Sequence, residues 1–504
     1  MTRDPSLRFL PNLPRRAFAG LLAGLALASC GVPGTGPHPA PLATLAARSA
    51  LPGEPEGQWP ADGWWRTYGD PQLDAIEDEG LAHSPDIGAA LARLASADAL
   101  ARQAGAALLP GVDAAGTAGL SKQSYNLGYP PQFVSLLPHG WNGEGNLDLT
   151  FGFDPDIWGR DRAALAAATS EREARAVEAR QAALMLSTAI AEAYADLAAA
   201  ITLADNRQAA LDTRSLSQQL IGQRVKEGLE NQASLHTAQA VSASARGDLD
   251  AAQAAVLLRR HQLAALLGEG PDRGLAVAAP RLAPLAPAPL PADVTTALVA
   301  RRADIAAARA RVVAAASRIR QARADFFPAL RLNALVGLQA IGLGNLVNGG
   351  STYGTVGPAL SLPLFEGGAL RAAYRGASAD YDLAVADYDR TVVDAYQQLA
   401  DAVTSRASTA RQLDAARAAE QESQQAYDLA MARYRGGLST YLDALTVEDR
   451  LVEARQALAL ADAAYRSADI ALVRALGGGF AAGAAPGAIA DRTQARGLIK
   501  DSPK

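Results

Sequence analysis

Two hydrophobic patterns alternate along this chain. Residues 160–221 and 377–435 contain neither Gly nor Pro and are rich in Ala; within them Ile190, Tyr194, Leu197 and Ile201 recur as Val392, Tyr396, Leu399 and Val403 with the same steps of three and four. That spacing places each set on one stripe of a helix. A helix of roughly 60 residues reaches about 90 Å at about 1.5 Å per residue. Abundant alanine lets neighbouring helices approach as in a coiled coil. Each run meets glycine, Gly222 and Gly228 in the first, Gly436 and Gly437 in the second, and helical patterning resumes from about Leu235 to Leu267 and from about Leu442 to Leu476. Glycine accommodates the left-handed backbone of a helix end. The pattern therefore predicts two long antiparallel helical hairpins with tips near Gly228 and Gly437.

The second pattern has period two. In Asn146–Asp154, Leu147, Leu149, Phe151 and Phe153 alternate with polar residues or Gly, and in Leu330–Ala340, Leu330, Leu332, Ala334, Val336 and Leu338 form the apolar set. Weaker alternation follows Pro110 and precedes Phe365. Strands of about ten residues with one apolar and one polar face fit either a half-buried soluble sheet or a transmembrane barrel.

Both patterns occur twice. Residues 86–110 align without gaps on 304–328, with Asp86/Asp304, Arg93/Arg311, Gln103/Gln321 and Pro110/Pro328 coincident; Arg224, Gly228 and Leu229 recur as Arg433, Gly437 and Leu438. A period of roughly two hundred residues is a domain duplication and not a solenoid repeat. The expected organisation is a signal peptide at 1–29, a tether at 30–61, a first repeat at 62–279, a Pro-rich linker at 280–292, a second repeat at 293–478 and a flexible tail at 479–504. From Pro110 to Trp158 the first copy is longer than the second from Pro328 to Phe365. The extra residues fall in the barrel loop near Tyr125 to Trp141.

The amino terminus sets the compartment. Arg15 and Arg16 precede an apolar run from Ala17 to Ala28, in the order of an export signal and too short to span a bilayer as a helix. Either general secretion or twin-arginine export fits Arg15-Arg16. The chain holds one cysteine, Cys30, directly after Leu27-Ala28-Ser29. This string resembles the bacterial lipobox, which implies cleavage before Cys30 and covalent lipid (palmitate among it) on that residue. Gly31 in place of an aspartate implies delivery to the outer membrane. The net charge of −5 argues against a nucleic-acid partner. No segment after residue 30 reads as a transmembrane helix, so strands must make any membrane crossing. With that lipid and the long hairpins, the barrel becomes the stronger reading of the strands.

Four strands cannot close a barrel, since small barrels need about eight. The ordered strings Trp64-Trp65-Arg66-Thr67-Tyr68-Gly69-Asp70-Pro71, Asp156-Ile157-Trp158-Gly159-Arg160, Leu362-Pro363-Leu364-Phe365-Glu366-Gly367-Gly368 and Arg433-Tyr434-Arg435-Gly436-Gly437-Leu438 resemble the TolC/OprM-type outer-membrane factors, specifically the NodT-like lipoproteins of RND efflux systems. The resemblance covers residues 62–478. It implies a mainly α fold with a transmembrane β-barrel: duplicated helical hairpins with two strands each, a homotrimer sharing a twelve-stranded barrel, and a periplasmic α-helical tunnel. It further implies an outer-membrane efflux channel gated at its periplasmic tip, with a periplasmic adaptor (membrane fusion) protein and an inner-membrane pump of RND type as partners. Carried over residue by residue, it places Tyr434 and Asp443 at the gate and Arg224, Gly228, Leu229, Arg433, Gly437 and Leu438 at the docking tips. The first copy has Val225 and Ser234 in place of the gate pair, and Thr446 stands where the family commonly has another aspartate. Thr440 to Asp443 equally reads as a helix start, with Thr440 as cap.

His38, His83, His139, His236 and His261 are dispersed without metal-ligand spacing, and no nucleophile elbow or Walker loop occurs. The chain is expected to have no catalytic site, metal or cofactor. A pore-free, lipid-anchored periplasmic coiled-coil scaffold is the other reading, and the lipid-facing stripe of the strands separates the two.

Overall fold

The computed structural model describes residues 38–47, 49–51, 54, 57–126, 130–285 and 289–481. The expected signal peptide, Cys30 and most of the C-terminal tail lie outside these residues. The helices of eight or more residues are α1 (Pro71–His83), α2 (Pro85–Ala106), α3 (Arg160–Lys226), α4 (Gln232–Leu266), α5 (Val294–Arg301), α6 (Ala303–Ala324), α7 (Ala369–Arg435) and α8 (Tyr441–Ala475). The strands are β1 (Gly111–Ser121), β2 (Asn142–Phe153), β3 (Ala329–Ile341) and β4 (Thr352–Ser361). The duplication is metrical: α2 and α6 have 22 residues each, α3 and α7 have 67, and α4 and α8 have 35.

The long helices outrun their glycine-free windows. Gly222 lies inside α3 and Gly376 inside α7, so Gly222 is not the stop that its position suggested. A helical glycine costs about 1 kcal/mol relative to alanine. The long helix continuing on either side outweighs that, whereas Gly228 and Gly437, at φ 75° and 74°, end their helices. One further expectation fails in part: a stretch of α3 has a mean hydropathy of 1.4, enough by composition to cross a membrane. Just over half of that stretch, 56%, is buried inside the protein, so core packing explains its apolarity.

The chain divides into two compact units. The first comprises residues 38–40, Ser96–Arg172 and Ala310–Ala386, as far as these are described, and holds the whole sheet. Its four strands are antiparallel in the order β1-β2-β3-β4. The register pairs Val112 with Phe151, Leu149 with Val336 and Ala334 with Val356, so one face is apolar from edge to edge. The other face carries Asp113, Thr150, Asp148 and Tyr353 in matching positions. β2 begins at Asn142, before the alternation is legible, because Asn142 to Gly145 pair with Ala118 to Ser121 of β1. Where β2 turns into α3, Trp158 stacks on Phe327 at 4.7 Å and donates from Nε1 to the Pro328 carbonyl at 2.8 Å. Asp156, at φ 48°, accepts from the Asp161 and Arg162 amides and so caps α3. Burial pushes its carboxyl up, but those bonds and the Arg162 side chain prevail and hold it low.

The second unit, the described residues of Pro41–Ala95, Glu173–Arg309 and 387–481, contains the helical core. Ile190, Tyr194 and Leu197 are fully buried with Trp64, Trp65, Leu73, Ile76, Leu263 and Leu267. Their copies Val392, Tyr396 and Leu399 are buried too. Each repeated tyrosine ties its helix to the start of its own copy. Tyr194 donates to Asp70 Oδ2 at 2.7 Å, and Tyr396 donates to the Thr295 carbonyl at 2.6 Å. Asp70 also accepts from the Gln72 and Arg281 amides. Burial raises its pKa, but the bonds from Arg281, Tyr194 and Gln72 outweigh that and hold the carboxyl below its ordinary value.

Candidate functional site

The tips are two copies of one helix stop. At the end of α3, the Leu229 amide donates to the Arg224 carbonyl at 2.8 Å and Gly228 to Val225 at 3.1 Å; at the end of α7, Leu438 donates to Arg433 at 2.9 Å and Gly437 to Tyr434 at 3.0 Å. This crossed pair of bonds is the Schellman motif, with glycine in the left-handed position. The repeated Arg, Gly and Leu are therefore its first carbonyl, its left-handed residue and the residue after it. The motif usually folds that last side chain back onto the helix. Here Leu229 is 63% exposed and Leu438 74%. The cap explains the glycines and leaves the two leucines in water.

Behind the tips lies a small core of Ile221, Ala238, Tyr434, Tyr441, Ala444 and Leu445, drawn from all four hairpin helices. Tyr434 is 3% exposed, with its ring 6.0 Å from that of Tyr441 and the Arg224 guanidinium 5.3 Å above its face. Both tyrosine hydroxyls and Arg224 Nε are buried without a hydrogen-bond partner among the described residues. Burial pushes the Tyr441 hydroxyl up to about 12 and raises that of Tyr434, so both stay protonated.

Asp443 is exposed on the first turn of α8. Its carboxylate accepts from the Thr440 amide at 3.0 Å and hydroxyl at 2.7 Å, while its own amide donates to Thr440 Oγ1 at 3.3 Å. This capping box holds the carboxyl below its ordinary value, through the Thr440 side chain first and its amide second. The first copy caps α4 differently, with Asn231 accepting from the Ser234 amide at 2.9 Å. Thr446 turns its hydroxyl onto the Leu442 carbonyl at 2.8 Å and presents no charge. Tyr434 and Asp443 thus share one hairpin but different environments, one in the core and one in solvent.

One constellation was not legible beforehand. Arg214 on α3 bonds Glu448 at 3.2 Å and Asp449 at 2.6 Å, both on α8. Glu448 and Asp449 stand out as adjacent acids, but nothing in the sequence pairs them with an arginine more than two hundred residues earlier.

Comparison with known proteins agrees with this geometry. The family model described as outer membrane efflux protein matches residues 78–269 and 295–478. The fusaric acid resistance protein FusA of Burkholderia cepacia is 37% identical over 332 residues, 64% of this chain and 60% of that protein. The multidrug resistance outer membrane protein MdtP of Escherichia coli K12 is 29% identical over 436 residues, 84% of this chain and 88% of MdtP. The crystal structure of the outer membrane protein VceC of Vibrio cholerae superposes with a TM-score of 0.77 at 40% identity, covering 84% of this chain and all of that one. The chain belongs to the outer membrane efflux protein family.

Proposed function

We propose that three copies of this chain close one twelve-stranded barrel in the outer membrane and continue into the periplasm as a helical tunnel, giving solutes a passive exit path. The sheet carries this reading. Its apolar face is open to the surroundings, with Val356 85% exposed, and β1 and β4 each have only one neighbouring strand among the described residues. Lipid cannot solvate an unpaired strand edge, and four strands fall short of the about eight that a closed barrel requires. Pairing β4 of one copy with β1 of the next removes every edge at once.

In this reading Cys30 carries the lipid, the repeats occupy 62–279 and 293–478, and the tips face an inner-membrane pump of RND type and its periplasmic adaptor. Leu229 and Leu438 are the docking knobs, set by the Arg224/Gly228 and Arg433/Gly437 stops. Asp443 gives the mouth three exposed carboxylates, and Tyr434 fixes the hairpin that bears them. The names of the relatives, fusaric acid and multidrug resistance proteins, support small organic solutes as cargo. Light scattering of the detergent-extracted protein tests the assembly. A three-chain mass is expected, and a stable monomer that still forms pores would overturn it.

A further inference from the structure

The polar face of the sheet carries a hydrogen-bonded belt across all four strands. The β1 hydroxyl of Thr117 bonds Asn146 Oδ1 on β2, and Asn146 Nδ2 donates to Asp148 Oδ2 at 2.6 Å. From β4 the Tyr353 hydroxyl reaches over β3 and donates to Asp148 Oδ1 at 2.5 Å. It crosses β3 at Gly337, which pairs with both Asp148 and Tyr353. A Cβ there would run into the Asp148 carboxylate and come within 2.9 Å of the Tyr353 ring, so the crossing requires glycine. Asp148 lies mid-strand and is held by two neutral donors, which fix its position without compensating its charge.

The nearest opposite charge on that face does not neutralise it. Arg331 is the one cation on the polar face of the four strands. From Gly337 back to Arg331 along β3 is about 20 Å at about 3.3 Å per residue, and the Debye length at physiological ionic strength is about 8 Å. Asp113 and Glu144 add further carboxylates to the same face.

We propose that Asp148 is an ion-selectivity determinant inside the barrel, separate from the periplasmic mouth. It rests on the trimeric barrel above, in which three symmetry-related Asp148 carboxylates face the lumen at one height. Water in the lumen within about 10 Å of the wall, the Debye length at 0.1 M salt, feels that negative potential. Cationic solutes are enriched there and anionic ones depleted. A belt that only braces the sheet would have the same hydrogen bonds but no effect on permeation.

The test is the potassium-to-chloride permeability ratio of purified protein in planar bilayers under a salt gradient. Asp148→Asn, which removes the charge and keeps an acceptor, should lower the ratio about two-fold near 0.1 M and much less near 1 M, where the Debye length falls to about 3 Å. Ala115→Lys places a cation on β1 opposite Asp148 with the belt intact, and should lower the ratio at least as far. It serves even if Asp148→Asn fails to assemble. Tyr353→Phe keeps the charge and should leave the ratio near wild type while lowering the melting temperature of the assembled species. A conducting trimer whose ratio is unmoved by Asp148→Asn and Ala115→Lys would overturn the proposal and leave the barrel reading standing. A wild-type protein that forms no pore would overturn both.

Discussion

Arg214 on α3 and Glu448 on α8 form a buried ion pair, Nε to Oε1 at 3.2 Å, that joins the long helix of one copy to the return helix of the other. Arg214 also reaches the exposed Asp449 at 2.6 Å. Burial raises the Glu448 pKa more than Arg214 lowers it. The pair therefore matters chiefly through what either partner costs when left alone. Arg214→Ala should destabilise the helices behind the tips by about 3 kcal/mol, and Arg214→Met with Glu448→Leu should recover most of that loss. Hydrogen exchange along the first turns of α8 reads both. Equal protection in wild type and Arg214→Ala would show that the pair is not structural.

Glu77 on α1 is fully buried, and neither carboxylate oxygen has a partner among the described residues. Burial, then Asp78 and Asp74, push its pKa well above the ordinary 4.5. The folded state thus keeps a proton that the unfolded chain gives up, so this group's contribution to stability falls as pH rises from 4.5 through the folded pKa. Glu77→Met should stabilise the protein by roughly 1–3 kcal/mol at pH 4, where it removes an unpartnered neutral acid, and by more at pH 7.5, where folding must also hold the proton. Thermal melts across that range check it; a pH-independent gain would contradict the buried neutral acid.

Asp443 has two separable roles. Its pKa is depressed from 3.8, so the capping contribution is present above that value and lost as pH falls through the folded pKa. Thr440→Ala removes the cap and should weaken the start of α8 by about 1 kcal/mol while leaving ion selectivity nearly unchanged. Asp443→Ala should lower the cation-to-anion permeability ratio as well. An unchanged ratio in Asp443→Ala would leave capping as the only role of this residue.

The exposed leucines make the docking reading testable. Leu229→Asp and Leu438→Asp change side chains that take no part in the Schellman bonds, which both residues make through their backbone amides, so melting temperature and helix content should stay at wild-type values. Binding to a purified periplasmic adaptor should weaken at least tenfold, as for loss of an apolar hot spot. Undiminished binding in the double variant would place the contact elsewhere.

The long helices and their stops were legible because glycine-free, alanine-rich stretches have few other folds, and because Arg, Gly and Leu are repeated at the carbonyl and turn positions of one motif. The strand faces were legible from Leu147, Leu149, Phe151 and Phe153. The ends of β2 were not, because cross-strand pairing with Ala118 to Ser121 sets them and no local alternation does. The environments of Tyr434 and Asp443 were half legible. The Thr440 cap is a local pattern, but burial of Tyr434 depends on Arg224, Tyr441 and Ile221, whose meeting is tertiary. The Asp148–Tyr353 bond and the Arg214–Glu448 pair span more than two hundred residues and leave no trace in a linear pattern.

Single-channel recording of the purified protein, with its mass measured in the same detergent, tests the central claim most directly. A species of three chains should insert into planar bilayers and give discrete, cation-preferring conductance steps. A three-chain species that inserts and leaves the bilayer silent, or a single chain that conducts, would contradict the account of this protein as a shared outer-membrane duct.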